Sequence, residues 1–338
     1  MLAGAAALIF FAITKNSRWL EWATDADSRF GDLYALAHVA HFRPAQPLPS
    51  GEFAQRDSID LGATATGSEI IFWGDSFGFR DDGERPLWLQ IGQRTDRRVF
   101  AIYSNHHPEI WSDPYPFFDK LGPAGPQNMV VFEMVERLIA GNFGEPFGVK
   151  SPAPLAKRKW PGAAFFRDTA IRHQRLFRHG FATVPLVTAW DSLVFAVTGR
   201  ISQETPLYSR SPPFLFYRDE VDCYLTPHAD EGIEKMADHV ALLAKTLHDV
   251  YHRELLFVPI PNKITIYSSL ATSQPYDQFL PRLCQAVRAR GVPTVDLLPR
   301  YRAAPELLYW PTDTHWNSAG IRIAVDATLQ AWPEQARP

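Results

Sequence analysis

The stretch that decides the fold is EIIFWGDSF at residues 69–77. Its first part is nearly all apolar, which predicts a strand over Glu69–Trp73 that is buried on both faces. The strand leads directly into Gly74-Asp75-Ser76-Phe77, a composition typical of a sharp turn. Strands without polar alternation belong to parallel sheets covered by helices, so the stretch predicts an α/β fold.

Strands and helices alternate along much of the remaining chain and extend this prediction. Strands are expected over 98–103, 129–132, 255–260 and 293–297. Helices are expected over 133–140, 233–251 and 279–289, and from a cap at Asn317 to about residue 332. This alternation predicts an α/β sheet.

Composition excludes several classes of protein. The chain has 338 residues and a formal net charge of −3, which argues against a dedicated nucleic-acid binder. Two cysteines, Cys223 and Cys284, exclude a disulfide framework and leave open whether these two pair. The sequence contains no glycine-rich phosphate loop or nucleotide fingerprint. We therefore expect no cofactor and no metal.

The N-terminal region differs from the rest. Leu2–Thr14 is uncharged and apolar, but as a helix it spans only roughly 20 Å of a ~30 Å hydrocarbon core. It predicts a membrane anchor, with a buried helix as the alternative. Residues 17–42 predict an amphipathic helix and Pro44–Pro49 a linker. We thus expect an anchor region over 1–49 and a catalytic domain over 50–338.

A basic, aromatic insertion over residues 146–210 interrupts the predicted catalytic domain. It holds ten Lys and Arg residues against three acidic ones, about +7 in a chain whose total charge is −3. Such a segment suits an anionic polymer, lipid headgroups or an acidic partner, and a merely solvated surface is an equal alternative.

Ser76 is the first candidate catalytic residue. A turn at the carboxyl end of a strand makes a serine hydroxyl protrude, but the hydroxyl is a weak nucleophile until a base takes its proton. Asp313 and His315 stand in a loop before the last helix, and their spacing points both to one side of an extended segment. The carboxylate can then fix the imidazole tautomer while the other ring nitrogen serves Ser76. Gly-Asp-Ser turns and Asp-x-His pairs also occur in structural, capping and metal-binding roles.

An early serine followed by a late Asp-x-His resembles the SGNH/GDSL hydrolase superfamily. A closer resemblance is to the SGNH-like polysaccharide O-acetyltransferases of the alginate acetylation type. The stretches that carry it are DTHWN at 313–317 with Gly320, VPIPNK at 258–263 with Ile266-Tyr267, VVFEMVER at 130–137 and FLFY at 214–217. The resemblance implies a three-layer SGNH-like fold, with 214–217 as its entry strand, and a Ser-His-Asp acyl-enzyme mechanism.

Two departures from that family are evident. Its Asp-x-His part precedes the serine, whereas here it follows, as in a circular permutation. The Gly-x-Asn-Asp block of the hydrolases is also missing after the third strand, where Glu133 stands instead. We therefore expect an oxyanion hole built from the Ser76 N–H and the Ser104–Asn105 loop.

Three further residues are candidates for substrate contact. Lys263 and Tyr267 follow the carboxyl end of a strand, where open α/β sheets bind substrates. Trp316 adjoins His315 and offers a platform for an acceptor sugar. Holding or packing the neighbouring loops is the alternative for all three.

The resemblance implies an extracytoplasmic O-acyltransferase that moves acetyl to hydroxyls of a cell-surface or secreted polysaccharide. It also implies a periplasmic location at the inner membrane, with acyl groups delivered by a multi-spanning membrane acyltransferase. A carbohydrate esterase of the same superfamily, and a non-catalytic glycan-binding or scaffold subunit, are the alternatives.

Overall fold

The computed structural model describes residues 30–49, 69–80, 85–104, 107–122, 128–144, 147 and 184–332. The apolar run Leu2–Thr14 and most of the basic stretch of the insertion lie outside these residues. Within the described part of the chain, no helix has both the length and the apolar character needed to cross a bilayer.

The chain divides into two compact units. One comprises Met1–Leu48, Pro154–Arg218 and Pro311–Thr314, and the other comprises Pro49–Ala153, Asp219–Trp310 and His315–Pro338. We call them the small unit and the sheet unit. Of the described residues, 30–48 and 184–217 thus belong to the same unit, and the predicted division into an anchor region and a catalytic domain stays a prediction.

The sheet unit is built on four parallel strands in the order β2-β1-β3-β6, and the predicted α/β fold is confirmed. The strands are β1 (Ile70–Gly74), β2 (Val99–Tyr103), β3 (Met129–Val135) and β6 (Glu254–Ile260). Since the chain moves from β1 to one side for β2 and to the other for β3, the strand order reverses at β1. Crevices at such reversals, outside the carboxyl ends of the strands, are where open α/β sheets bind ligands.

Helices cover both faces of the sheet. On one face Phe72, Val131 and Leu256 share a core with Ile321 of the last helix. On the other face Trp73 stacks on Phe132 with ring centroids 4.3 Å apart, and the core continues through Phe143. The helices of this unit are α2 (Ser76–Phe79), α3 (Leu87–Thr95), α4 (Pro108–Ser112), α5 (Tyr115–Leu121), α6 (Glu136–Phe143), α8 (Arg218–Leu225, whose first residue belongs to the small unit), α9 (Asp230–Tyr251), α10 (Lys263–Tyr267), α11 (Phe279–Ala289), α12 (Leu298–Ala303) and α13 (Ser318–Gln330).

The small unit has its own hydrophobic core. It contains α1 (Asp32–Ala37), α7 (Val184–Thr198) and an antiparallel pair of strands, β4 (Leu207–Arg210) and β5 (Pro213–Phe216). The side chains that form the core are Phe30, Leu33, Tyr34, Ala37, Val39, Phe42, Phe195 and Leu215. Residues 30–42 are therefore a packed part of this unit.

Several predicted boundaries are wrong. In its described part, the predicted helix over 17–42 is divided into α1 and a 3-10 helix at Ala40–Phe42, because Gly31 and His38 have positive φ angles of 103° and 49°. Strand β3 continues to Val135, so α6 starts three residues later than predicted. The predicted strand over 293–297 is reduced to a bridge between Thr294 and Phe257. Phe214–Tyr217 is not an entry strand of the main sheet, because β5 pairs with β4.

Both cysteines are free thiols. Burial raises the pKa of Cys284 to about 12 and also raises that of Cys223. Protonated and largely shielded, they act as small apolar side chains.

Candidate active site

Ser76 opens α2 directly after β1. Asp75 caps this helix, since its Oδ1 accepts the backbone N–H of Phe77 at 2.9 Å. Gly78 lies in the helix with no room for a side chain, because a Cβ there would overlap the ring of Phe72. The sequence thus forms a short helix packed against its own strand, and the half-buried Ser76 is its first residue.

Two buried carboxyl groups tie this turn to β3. Oε2 of Glu133 accepts the backbone N–H of Asp75 at 3.0 Å, and Oδ2 of Asp75 accepts the N–H of Val135 at 2.8 Å. Burial raises the pKa of Glu133 well above its usual value, and the negative charge of Asp75 raises it further. Glu133 therefore favours its neutral form, which relieves the repulsion between the two groups.

The structure brings Ser76 and His315 together from distant parts of the chain. Nε2 of His315 lies 2.8 Å from Oγ of Ser76, a hydrogen-bonding distance between a nucleophile and a base. The ring of Phe77, with its centroid 4.9 Å from that of His315, packs against the imidazole. His315 is 8% exposed, so its reaction partners are restricted to this small opening.

The other ring nitrogen of His315 faces a cation. Nη1 of Arg80 lies 2.7 Å from Nδ1 of His315. Arg80 follows α2 immediately and its backbone N–H donates to the carbonyl of Ser76. One short helix therefore positions both the nucleophile and the guanidinium.

Asp313 belongs to the small unit, where its surroundings involve Asp32. Oδ2 of Asp313 accepts the backbone N–H of Asp32 at 3.1 Å. The carboxylate of Asp32 in turn accepts the N–H and the hydroxyl of Thr314 at 2.8 and 2.6 Å. These bonds fix the backbone around Asp313, and its predicted role toward His315 stays a prediction.

Lys263 and Tyr267 hold the segment that leads to His315. Nζ of Lys263 donates to the carbonyl of Trp310 at 3.0 Å, and Lys263 is fully buried. The hydroxyl of Tyr267 accepts the N–H of Leu308 at 2.7 Å. Because Lys263 has no exposed surface, its contacts favour the alternative that it holds the loop, and its contact with substrate stays a prediction.

Two other expected site residues make contacts within the fold, and their predicted roles toward substrate stay predictions. Trp316 is fully buried and packs edge-on against Phe77, which favours the alternative that it packs the neighbouring loop. The N–H and the hydroxyl of Ser104 both donate to the carbonyl of Gly74, at 3.0 and 2.7 Å. Both hydrogen-bond donors of Ser104 are therefore used by the carbonyl of Gly74 and do not point to an oxyanion in this conformation. Asn105 lies outside the described residues.

Three features of the site were not predicted from the sequence: Arg80, Asp32 and the carboxyl pairing of Asp75 with Glu133. The position of Glu133 could have been recognised from the sequence, since a glutamate inside an apolar run is unusual for a buried strand. No local pattern distinguishes Arg80 or Asp32, because their partners His315 and Thr314 lie 235 and 282 residues away in the chain.

Comparison with known families bears on the C-terminal part of this site. Residues 211–337 match a family model described as the SGNH hydrolase-like domain of the acetyltransferase AlgX. The predicted resemblance to this family is confirmed. The AlgX match includes Asp313, His315, Lys263 and Tyr267, whereas Ser76 and the first three strands precede it. No curated protein and no solved structure matches the chain.

Proposed function

We propose that this chain is an O-acyltransferase that moves an acetyl group to a polysaccharide hydroxyl through an acyl-Ser76 intermediate. The observation that carries the proposal is the 2.8 Å distance between Oγ of Ser76 and Nε2 of His315. The AlgX-type match of residues 211–337 supports an acetyltransferase-type activity.

The reaction has two steps. Nε2 of His315 takes the proton of Ser76 as Oγ attacks the acyl carbonyl carbon, and it returns the proton to the leaving group. The acceptor hydroxyl then gives its proton to Nε2 and attacks the acyl carbon. As the bond between that carbon and Oγ breaks, Nε2 returns the proton to Oγ and frees Ser76. Asp313 is the proposed carboxylate that stabilises the imidazolium, and the Ser76 N–H is the proposed oxyanion donor. Water in place of the sugar would make the same residues an esterase.

We further propose that the protein works outside the cytoplasm at a membrane, where a multi-spanning acyltransferase delivers the acyl group. Helix α7 supports this, since it carries one charged residue and exposes four large apolar side chains: Leu186, Trp190, Leu193 and Val197. The basic segment of the insertion immediately precedes α7 in the sequence, and its positive charge would attract anionic lipid headgroups.

The test is acyl transfer from an activated acetyl ester by the full chain, with and without polysaccharide oligomers. Ser76→Ala and His315→Gln run beside the wild type, with Ser112→Ala as a serine control in α4. Acetylated oligomers that depend on Ser76 and His315 would support the transferase. Ester turnover unaffected by oligomers would favour the esterase, and no Ser76-dependent turnover would favour a scaffold.

A further inference from the structure

The contact between Arg80 and His315 determines which ring nitrogen carries the proton. A guanidinium has only hydrogen-bond donors and stays protonated in proteins. At 2.7 Å from Nη1 of Arg80, Nδ1 of His315 must therefore be the acceptor and have no proton. The neutral imidazole then carries its proton on Nε2 and donates it to Oγ of Ser76.

This is the opposite of what a general base requires. To take the proton of Ser76, Nε2 must present its lone pair and Nδ1 must carry the hydrogen. After the transfer, the imidazolium would hold a proton on Nδ1 and a positive charge next to the guanidinium. Arg80 in this position thus opposes proton transfer through the tautomer, and after the transfer the two adjacent positive charges would repel each other.

We propose that Arg80 is a positioning residue that keeps His315 in a non-productive tautomer, so that the site rests until the guanidinium leaves Nδ1. The inference rests on the proposed function of Ser76 and His315. Its structural basis is local, because Arg80 and Ser76 are fixed at the two ends of α2. Acylation of Ser76 therefore requires Arg80 to move and a proton to appear on Nδ1.

The tautomer can be measured without any turnover. In the full chain with ¹⁵N-labelled histidine, the signals of His315 are assigned by their loss in His315→Gln. We expect a protonated Nε2 and a bare Nδ1 in the wild type, and a shift of the proton to Nδ1 in Arg80→Met. The control Arg94→Met, which removes an exposed arginine paired with Asp326, should leave the tautomer unchanged. A wild-type His315 protonated on Nδ1 overturns the inference.

Labelling of Ser76 by an organophosphonate tests the consequence. Arg80→Met should raise its rate about ten- to a hundredfold, the population change that follows loss of one charge-assisted hydrogen bond. A slower rate in Arg80→Met, with the tautomer shifted as expected, would overturn the restraining role. If no variant is labelled while the tautomers behave as stated, the proposed function fails and the assignment of the tautomer stands.

Discussion

The backbone N–H of Asp75 donates to Oε2 of Glu133, and through this bond the turn that carries Ser76 is held by the neighbouring strand. The contact is reciprocal, since Asp75 accepts the N–H of Val135 on the same strand. Oε1 of Glu133 is buried and has no hydrogen-bond partner in the described part of the chain. Burying a carboxyl group with an unpaired oxygen costs less free energy when the group is neutral than when it is ionised.

The raised pKa of Glu133 predicts a specific dependence of stability on pH. Its pKa is higher in the folded state than the usual 4.5, so its stabilising contribution is complete below that pH and is lost as pH rises toward the folded value. Relative to Glu133→Gln, the wild type should lose about 1.4 kcal/mol of unfolding free energy per pH unit in this window. Urea unfolding of both proteins at a series of pH values measures this slope.

The control for this slope is Asp326→Asn, which removes a half-exposed carboxylate paired with Arg94. The difference between this variant and the wild type should vary little over the same pH range. Parallel curves for Glu133→Gln and the wild type would show that Glu133 ionises normally, and the account of the carboxyl pair would be wrong.

A second prediction concerns the packing of α2. Gly78→Ala places a methyl group against Phe72 and near Glu133, so the helix carrying Ser76 must shift away from β1. We expect a loss of about 1–3 kcal/mol in unfolding free energy and slower labelling of Ser76. Gly141→Ala in α6 is the matched control, because no atom lies within 4 Å of the added carbon. Equal labelling rates in the two variants would contradict the tight packing of α2.

A third prediction concerns Asp32, which accepts two hydrogen bonds from Thr314. Asp32→Ala leaves those donors without their partner, and we expect a loss of about 1–3 kcal/mol in stability with faster hydrogen exchange at the Thr314 amide. A chain that begins after residue 48 should show the same faster exchange. The control Asp191→Ala, on α7 of the same unit, should keep the amide protected. If the hydrogen exchange of the Thr314 amide is unchanged when residues 1–48 are removed, Asp32 does not stabilise the backbone at Thr314.

The sequence predicts those parts of the fold that depend on local patterns of apolar residues, and it fails where a residue depends on a contact distant in the chain. The strands β1, β3 and β6 were recognisable because strands buried on both faces are continuous apolar runs. Strand β2 is half-buried on one face but is also an unbroken apolar run. The end of β3 was misplaced because Glu133 was taken as the start of a helix. Its carboxyl group accepts the backbone N–H of Asp75, which lies 58 residues earlier in the chain.

The residues of the site also fall into those that the sequence predicts and those that only the folded structure reveals. Ser76 and His315 could be proposed from residue type and order, since a nucleophile after a strand and a base before the last helix form a recurrent chemical pattern. Arg80 follows a common turn and has no local feature that distinguishes it from a solvated arginine. Its role depends on the position of His315, which only the folded chain supplies.

The last prediction tests association with a membrane through α7. Leu186, Trp190, Leu193 and Val197 are 56–76% exposed and follow one another at spacings of four, three and four residues, which places them on one face of the helix. Replacing Leu186, Trp190 and Val197 by Gln should change the unfolding free energy by no more than about 0.5 kcal/mol per site, because the side chains are exposed. The same variant should bind anionic lipid vesicles more weakly than the wild type, as measured by co-sedimentation of the full chain. Leu242→Gln, which alters a 48% exposed leucine on α9, is the matched control and should bind as the wild type does. If the triple variant and the control bind equally, this face of α7 does not contact lipid.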